Sequence, residues 1–115
     1  MSRTDETRLD DIRDMCAKVA SPVERGRAEI EKEELLWLAL ERAIEVAGEA
    51  ASRVSEATKM SYPDVAWKEL SAVRVVLAHA YHRVDLDLLW GIASVDLPRV
   101  AAALGPSSDG EFDSG

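Results

Sequence analysis

This sequence has little of what staples or interrupts a small fold. Its one cysteine, Cys16, excludes an intramolecular disulfide framework and cannot supply a multi-cysteine zinc site. The expectation for it is a small, semi-buried apolar residue on a helix. Aromatic residues make up only 5%, so Leu, Val, Ile and Ala must fill the interior. Six glycines and four prolines leave long uninterrupted stretches, which favours helices over many short strands. No apolar run approaches the roughly 18 residues of a membrane span. Ser2 to Asp14 alternates charges where a signal peptide needs an apolar region, so a reducing, cytoplasmic setting is expected.

Basic charge is also scarce. The 115 residues carry a net charge of −8, which argues against a protein that wraps a nucleic-acid duplex. The distribution softens that exclusion. Residues 1–34 hold seven basic and ten acidic groups, and 100–115 hold three acids and no base. Residues 74–99 balance three against three. A locally neutral site could handle a few phosphates.

Hydrophobic periodicity predicts helices throughout. Leu9, Ile12, Met15, Cys16 and Val19 mark a first helix over 4–20, with Thr4 and Thr7 as candidate caps. Ser21-Pro22 is expected to end or bend it. A longer helix is expected over 24–57, its stripe running through Ile30, Leu35, Leu38, Ala39, Ala43, Val46, Ala47, Ala50 and Val54. Gly48-Glu49-Ala50-Ala51 lacks bulk, which suits close approach of a second helix there. Ser61-Tyr62-Pro63-Asp64 reads as a break, followed by a helix over 64–80 that includes Trp67, expected as a core anchor. Arg83-Val84-Asp85 is a joint, 85–93 a further helix, and Asp96-Leu97-Pro98 a turn before a last short helix over 97–104. The fold expected is all-α: an antiparallel four-helix bundle with an extra short C-terminal helix. Residues 1–105 form one domain, and 106–115 an acidic, disordered tail.

Two spacings resemble metal sites and are set aside. Glu41 and Glu45 stand four apart, but no Glu-x-x-His motif accompanies them. His79 and His82 stand three apart without a carboxylate at the right position. No metal is expected.

The reactive side chains gather in Arg74-Val75-Val76-Leu77-Ala78-His79-Ala80-Tyr81. On an ideal helix, at about 100° per residue, Tyr81 lies about 20° from Arg74 and His79 about 140°. One straight helix therefore does not bring all three to one site. Either the helix ends or loosens near His79, or a second copy of the chain supplies the missing partner. An imidazole exchanges a proton near neutral pH, and a guanidinium fork suits phosphate oxygens and developing negative charge. RNA brings its own nucleophile in the 2′-hydroxyl, so an Arg–His pair suffices for cleavage without metal, though it would equally serve anion binding. Each residue also has a plainer role: Arg74 in a surface ion pair, His79 as a structural residue, Tyr81 as a core-edge aromatic.

Arg-x4-His-x-Tyr, as Arg74, His79 and Tyr81, resembles the signature of the HepT-like toxins, within the HEPN superfamily of small helical ribonucleases. Glu41-Arg42-Ala43-Ile44-Glu45-Val46-Ala47-Gly48-Glu49-Ala50-Ala51 is similar to the family's long-helix segment ending in Gly-Glu-Ala. Tyr62-Pro63-Asp64-Val65-Ala66-Trp67 is similar to its Tyr-Pro-x-x-x-Trp approach to the motif helix. Val84 to Trp90 and Asp96-Leu97-Pro98 are similar to the segments after the motif. The match covers about 35–104.

The resemblance implies a HEPN-like homodimer with metal-independent endoribonuclease activity at the dimer cleft and no cofactor. It implies a toxin–antitoxin pair whose partner is a minimal nucleotidyltransferase that transfers AMP onto the motif tyrosine. Carried over by position, Arg74 and His79 would be catalytic and Tyr81 the AMPylation site. One position departs: the family often has Asn directly after the motif arginine, and this chain has Val75. The alternative expectation is a catalytically degenerate module that binds the nucleotidyltransferase or a nucleotide without cleaving RNA.

Overall fold

The structure, a computed structural model, describes residues 3–78 and 86–107. Within them the chain is helical: α1 (Arg3–Glu24), α2 (Arg27–Glu31), α3 (Glu34–Arg53), α4 (Glu56–Ser61), α5 (Trp67–Ala78), α6 (Leu86–Gly91) and α7 (Leu97–Leu104), the last two joined by a π-helical segment, Ile92–Asp96. The fold is all-α, as expected, and no strand occurs among the described residues.

Helix α3 is the central element, packing most extensively on α1 and α5. Polar contacts at both ends show that α1 and α3 run antiparallel. Arg8 donates to the Arg53 carbonyl at one end, and Arg25 pairs with Glu33 at 2.6 Å at the other. Helix α7 lies against the far side of α1, where the Arg13 guanidinium donates to the carbonyls of Leu104 (3.3 Å) and Gly105 (2.9 Å). Those two carbonyls lie at the C-terminus of α7 and have no partner inside the helix, so Arg13 caps α7 from a neighbouring element.

Two expectations about element boundaries in the first half of the chain are corrected. Helix α1 continues through Ser21-Pro22 to Glu24. Pro22 falls in its last turn, where the lost amide removes only one bond and little helix remains to be kinked. The single helix expected over 24–57 is three. Gly26, at φ 93°, turns the chain after α1, and Glu33, in extended conformation, separates α2 from α3. Glu33 still accepts from the amides of Leu36 and Trp37, which starts α3.

The restart at Glu34 shifts the helical phase. Leu35 and Leu38, expected in the core, are 81% and 51% exposed. Ala47, Ala50 and Val54 of the expected stripe are buried, and Trp37, Leu40, Ile44 and Ala51 join them in place of Leu35 and Leu38. Ile30 of α2 is fully buried and closes that end of the bundle against α3 and α1.

At the other end of the bundle, Asp5 of α1 is only 4% exposed and takes three hydrogen bonds. Ser55 Oγ (2.6 Å), Thr58 Oγ1 (2.7 Å) and the Ser55 amide (3.1 Å) all donate to its carboxylate. Ser55 is itself the N-cap of α4, accepting from the Thr58 amide. These bonds hold the carboxyl at about 2, below its ordinary 3.8: the Ser55 and Thr58 hydroxyls outweigh the opposing effect of burial. The knot ties α1 to the connection that leads into α5.

The turn expected at Asp96-Leu97-Pro98 is also corrected: residues 86–104 run on helically. Pro98 has no amide hydrogen for the Ser94 carbonyl four residues back, and the wider π turn ends just before it. The Ser94 hydroxyl donates to the Trp90 carbonyl at 2.6 Å inside that segment. The final helix, Leu97–Leu104, matches the expected bounds. Of the tail, 108–115 lie outside the described residues.

Candidate functional site

The sequence places the site on α5 and the connection to α6. Arg74 lies in α5, one helical turn before its described end at Ala78. His79, Tyr81 and His82 lie outside the described residues. What the structure gives is the frame that carries the motif.

The approach to α5 is built by the Tyr62 carbonyl, which accepts twice. The Val65 amide donates to it at 3.2 Å and the Trp67 indole at 3.0 Å. Pro63 has no amide to compete, and the paired bonds fold 62–67 into a turn that sets where α5 begins. That gives the Tyr-Pro-x-x-x-Trp pattern a physical reason: the indole locks the turn from which the motif helix starts. Helix α5 therefore begins at Trp67, not at the expected 64. Trp67 itself is half-buried against the core, in keeping with an anchor.

Leu70 and Val73 seat α5, at 5% and 9% exposure. Arg74 follows Leu70 by four and Trp67 by seven, so its backbone position continues the row that these anchors start. Between them Ser71 carries a buried hydroxyl with no hydrogen-bond partner among the described residues. Val75, beside the motif arginine, is 48% exposed. A cavity of about 330 Å³ flanks the first half of α5, walled by Glu69, Leu70 and Val73 together with Asp96, Arg99 and Val100.

On the far side of the motif, Asp87 opens α6 and pairs with Arg27 of α2 at 2.5 Å, while Arg27 also holds Glu31 at 2.8 Å. Both partners keep the guanidinium charged, Glu31 more strongly than Asp87, and raise its pKa above the ordinary value. The residues from 79 to 85 are thus flanked by two anchored ends: the seated α5 and the α2–α6 ion pair. Sequence reasoning missed Arg27, because helix periodicity carries no signal of a contact between elements so far apart.

The two carboxylates weighed as metal ligands, Glu41 and Glu45, lie one turn apart on α3. Arg42 pairs with Glu45 at 2.9 Å, and Glu41 is pushed above its usual pKa by burial and by the Glu45 charge. No cluster of three metal-ligating side chains occurs among the described residues. No helix of the described residues is long and apolar enough to cross a membrane.

A helical bundle whose motif helix is entered through a Tyr-Pro-x-x-x-Trp turn defines the class. The chain belongs to the family described as ribonuclease HepT-like, whose pattern matches residues 7–105. A protein of Thermococcus cleftensis named probable ribonuclease HepT is 32% identical over 103 residues, covering 85% of this chain and 90% of its own. A protein of Methanocaldococcus jannaschii, provisionally named an RNase, is 35% identical over 66 residues, 57% of this chain and 61% of its own length. Another provisionally named RNase, from Caldanaerobacter subterraneus, is 28% identical over 69 residues, 60% of this chain and 62% of its own. No solved structure matches the chain significantly. Ribonuclease activity is thereby supported at the level of the family.

Proposed function

We propose that this protein is the toxin of a toxin–antitoxin pair, a metal-independent endoribonuclease that acts at a cleft between two copies of the chain. The observation that carries the reading is that Arg74, His79 and Tyr81 fall, in the family's order and spacing, inside the span matching the ribonuclease family. Arg74 binds the scissile phosphate and stabilises charge developing on it. His79 takes part in proton transfer. The substrate's 2′-oxygen forms a bond to phosphorus, the bond to the 5′-oxygen breaks, and that oxygen leaves with a proton. The products are a 2′,3′-cyclic phosphate and a free 5′-hydroxyl. The chain needs no nucleophile of its own.

Dimerisation answers the helical phase: His79 is out of line with Arg74 on one helix, and a two-fold axis brings a second Arg–His set to the same cleft. The exposed Leu35 and Leu38 of α3 supply apolar surface of the kind a partner subunit covers. Control is by a minimal nucleotidyltransferase. The Tyr81 phenolic oxygen attacks the α-phosphorus of ATP, pyrophosphate leaves, and the phenolic proton passes to solvent or a base. The attached AMP brings negative charge beside Arg74 and occludes the cleft.

The test is expression. The unmodified chain should arrest growth, and Arg74→Ala or His79→Ala should relieve the arrest with helix content unchanged by circular dichroism. Equal toxicity of both folded variants contradicts the reading. Intact-mass spectrometry after co-expression with a nucleotidyltransferase encoded beside this chain should show AMP units that Tyr81→Phe abolishes. A second reading is favoured by Val75, which puts no amide beside Arg74: a module that binds the nucleotidyltransferase or a nucleotide without cleaving RNA. Purified dimer that leaves RNA intact while binding its partner would select it.

A further inference from the structure

The cavity of about 330 Å³ beside the first half of α5 has an apolar interior and a charged mouth. Its interior is lined by Leu70 and Val73 of α5 on one side and by Ile92 and Val100 of the π–α7 run on the other, all four buried. Around the mouth stand Asp64 and Glu69 on the α5 side, with Asp96 and Arg99 on the other, all exposed. None of these four side chains makes a hydrogen bond or ion pair among the described residues.

For the arginine this is exceptional. Arg8, Arg13, Arg25, Arg27, Arg42 and Arg53 each donate to a partner. Arg99 does not, although three carboxylates line the same cavity. Asp96 precedes it by three residues, the spacing at which Asp10 and Arg13 close to 2.9 Å. The guanidinium fork and the facing carboxylates are therefore both open to a ligand.

A ligand of this cavity needs an apolar body, acceptors for a guanidinium and donors for a carboxylate. Phosphate does not fit, because three acids against one arginine repel it and the interior offers it no partner. A nucleobase fits, and guanine fits best. Its O6 and N7 together accept an arginine fork, while its N1–H and N2 amine together donate to one carboxylate. Adenine, cytosine and uracil lack the paired donors. An unstacked base of single-stranded RNA presents both of these edges. The location agrees: Val73 directly precedes Arg74, and Glu69 lies five residues before it, about 7.5 Å along the helix.

We propose that this cavity is a guanine subsite for single-stranded RNA, with Arg99 donating to O6 and N7 and Glu69 accepting from N1 and N2. Asp64 and Asp96 keep phosphate out of the mouth and leave it to Arg74. The subsite rests on the ribonuclease reading for its ligand, a base close to the scissile phosphate.

The test measures binding apart from cleavage. The probes are fluorescein-labelled 2′-O-methyl trinucleotides, which lack the nucleophile and cannot be cut. The full chain should bind uridine-guanosine-uridine about ten-fold tighter than uridine-adenosine-uridine. Inosine, which lacks the N2 amine, or 7-deazaguanosine, which lacks N7, in place of guanosine should remove most of that difference. Arg99→Gln should make the chain indifferent to N7, and Glu69→Gln indifferent to the N2 amine. Both side chains are exposed and unpartnered among the described residues, so circular dichroism should show the fold unchanged. Equal affinity for the guanosine and adenosine probes overturns the proposal, as does a guanine preference that survives both substitutions. A guanine preference lost in both variants, in a protein that cuts no RNA, upholds the subsite and removes the ribonuclease reading instead.

Discussion

The indole nitrogen of Trp67 donates to the carbonyl of Tyr62 at 3.0 Å, so the turn ahead of the motif helix is closed by the side chain of that helix's first residue. Trp67→Phe keeps most of the apolar contact and removes this bond. The Tyr62 carbonyl retains the Val65 amide, so no acceptor is left bare. The expected cost is about 1 kcal/mol, read as a lower urea midpoint at unchanged slope.

The phase of α3 can be tested by a pair of truncations. Ile44 is fully buried, and Ile44→Ala should destabilise by about 2–5 kcal/mol through lost burial and a residual cavity. Leu35, at 81% exposure, belongs to the stripe expected from periodicity but not to the core. Leu35→Ala should change monomer stability by no more than about 0.5 kcal/mol. Equal losses in chemical denaturation would restore the continuous stripe.

Ser71 offers a substitution in the stabilising direction. Its buried hydroxyl has no partner among the described residues, and such a group costs about 1–3 kcal/mol in lost hydration. Ser71→Ala should raise stability by about 1 kcal/mol, one turn before Arg74. A thermal melt that falls on this substitution would show that the hydroxyl is satisfied.

Asp5 sets an acid limit. Its folded carboxyl titrates at about 2, against 3.8 ordinarily. The unfolded chain therefore takes up the proton first as pH falls, and folding loses stability from about 4 down toward 2. Above about 4 the contribution is complete. Asp5→Asn should be less stable than the parent at pH 6, with the difference narrowing between pH 4 and pH 2, as followed by helix signal against urea. A constant difference across that window would contradict the assignment.

How much of this was legible in the sequence depends on the kind of information. Leu97–Leu104 could be read directly, because its apolar spacing and Pro98 near its start are local signals. Periodicity does not mark the break at Gly26, because an apolar stripe can be drawn across it when Leu35 and Leu38 are counted as core. Only packing against α1 and α5 decides that Trp37 and Leu40 point inward. The pairing of Arg27 with Asp87, and of Asp5 with Ser55, joins residues far apart in the chain and leaves no trace in periodicity. For the candidate site, Arg74, His79 and Tyr81 came from a motif and not from helical phase, which sets His79 apart from Arg74.

The central claim is tested most directly by purified protein, a short RNA and an excess of EDTA. The account predicts cleavage that leaves a 2′,3′-cyclic phosphate, no cut where the scissile nucleotide carries a 2′-deoxy sugar, and loss of cleavage in His79→Ala. Cleavage of the 2′-deoxy substrate at the same position, or undiminished cutting by folded His79→Ala, would contradict it.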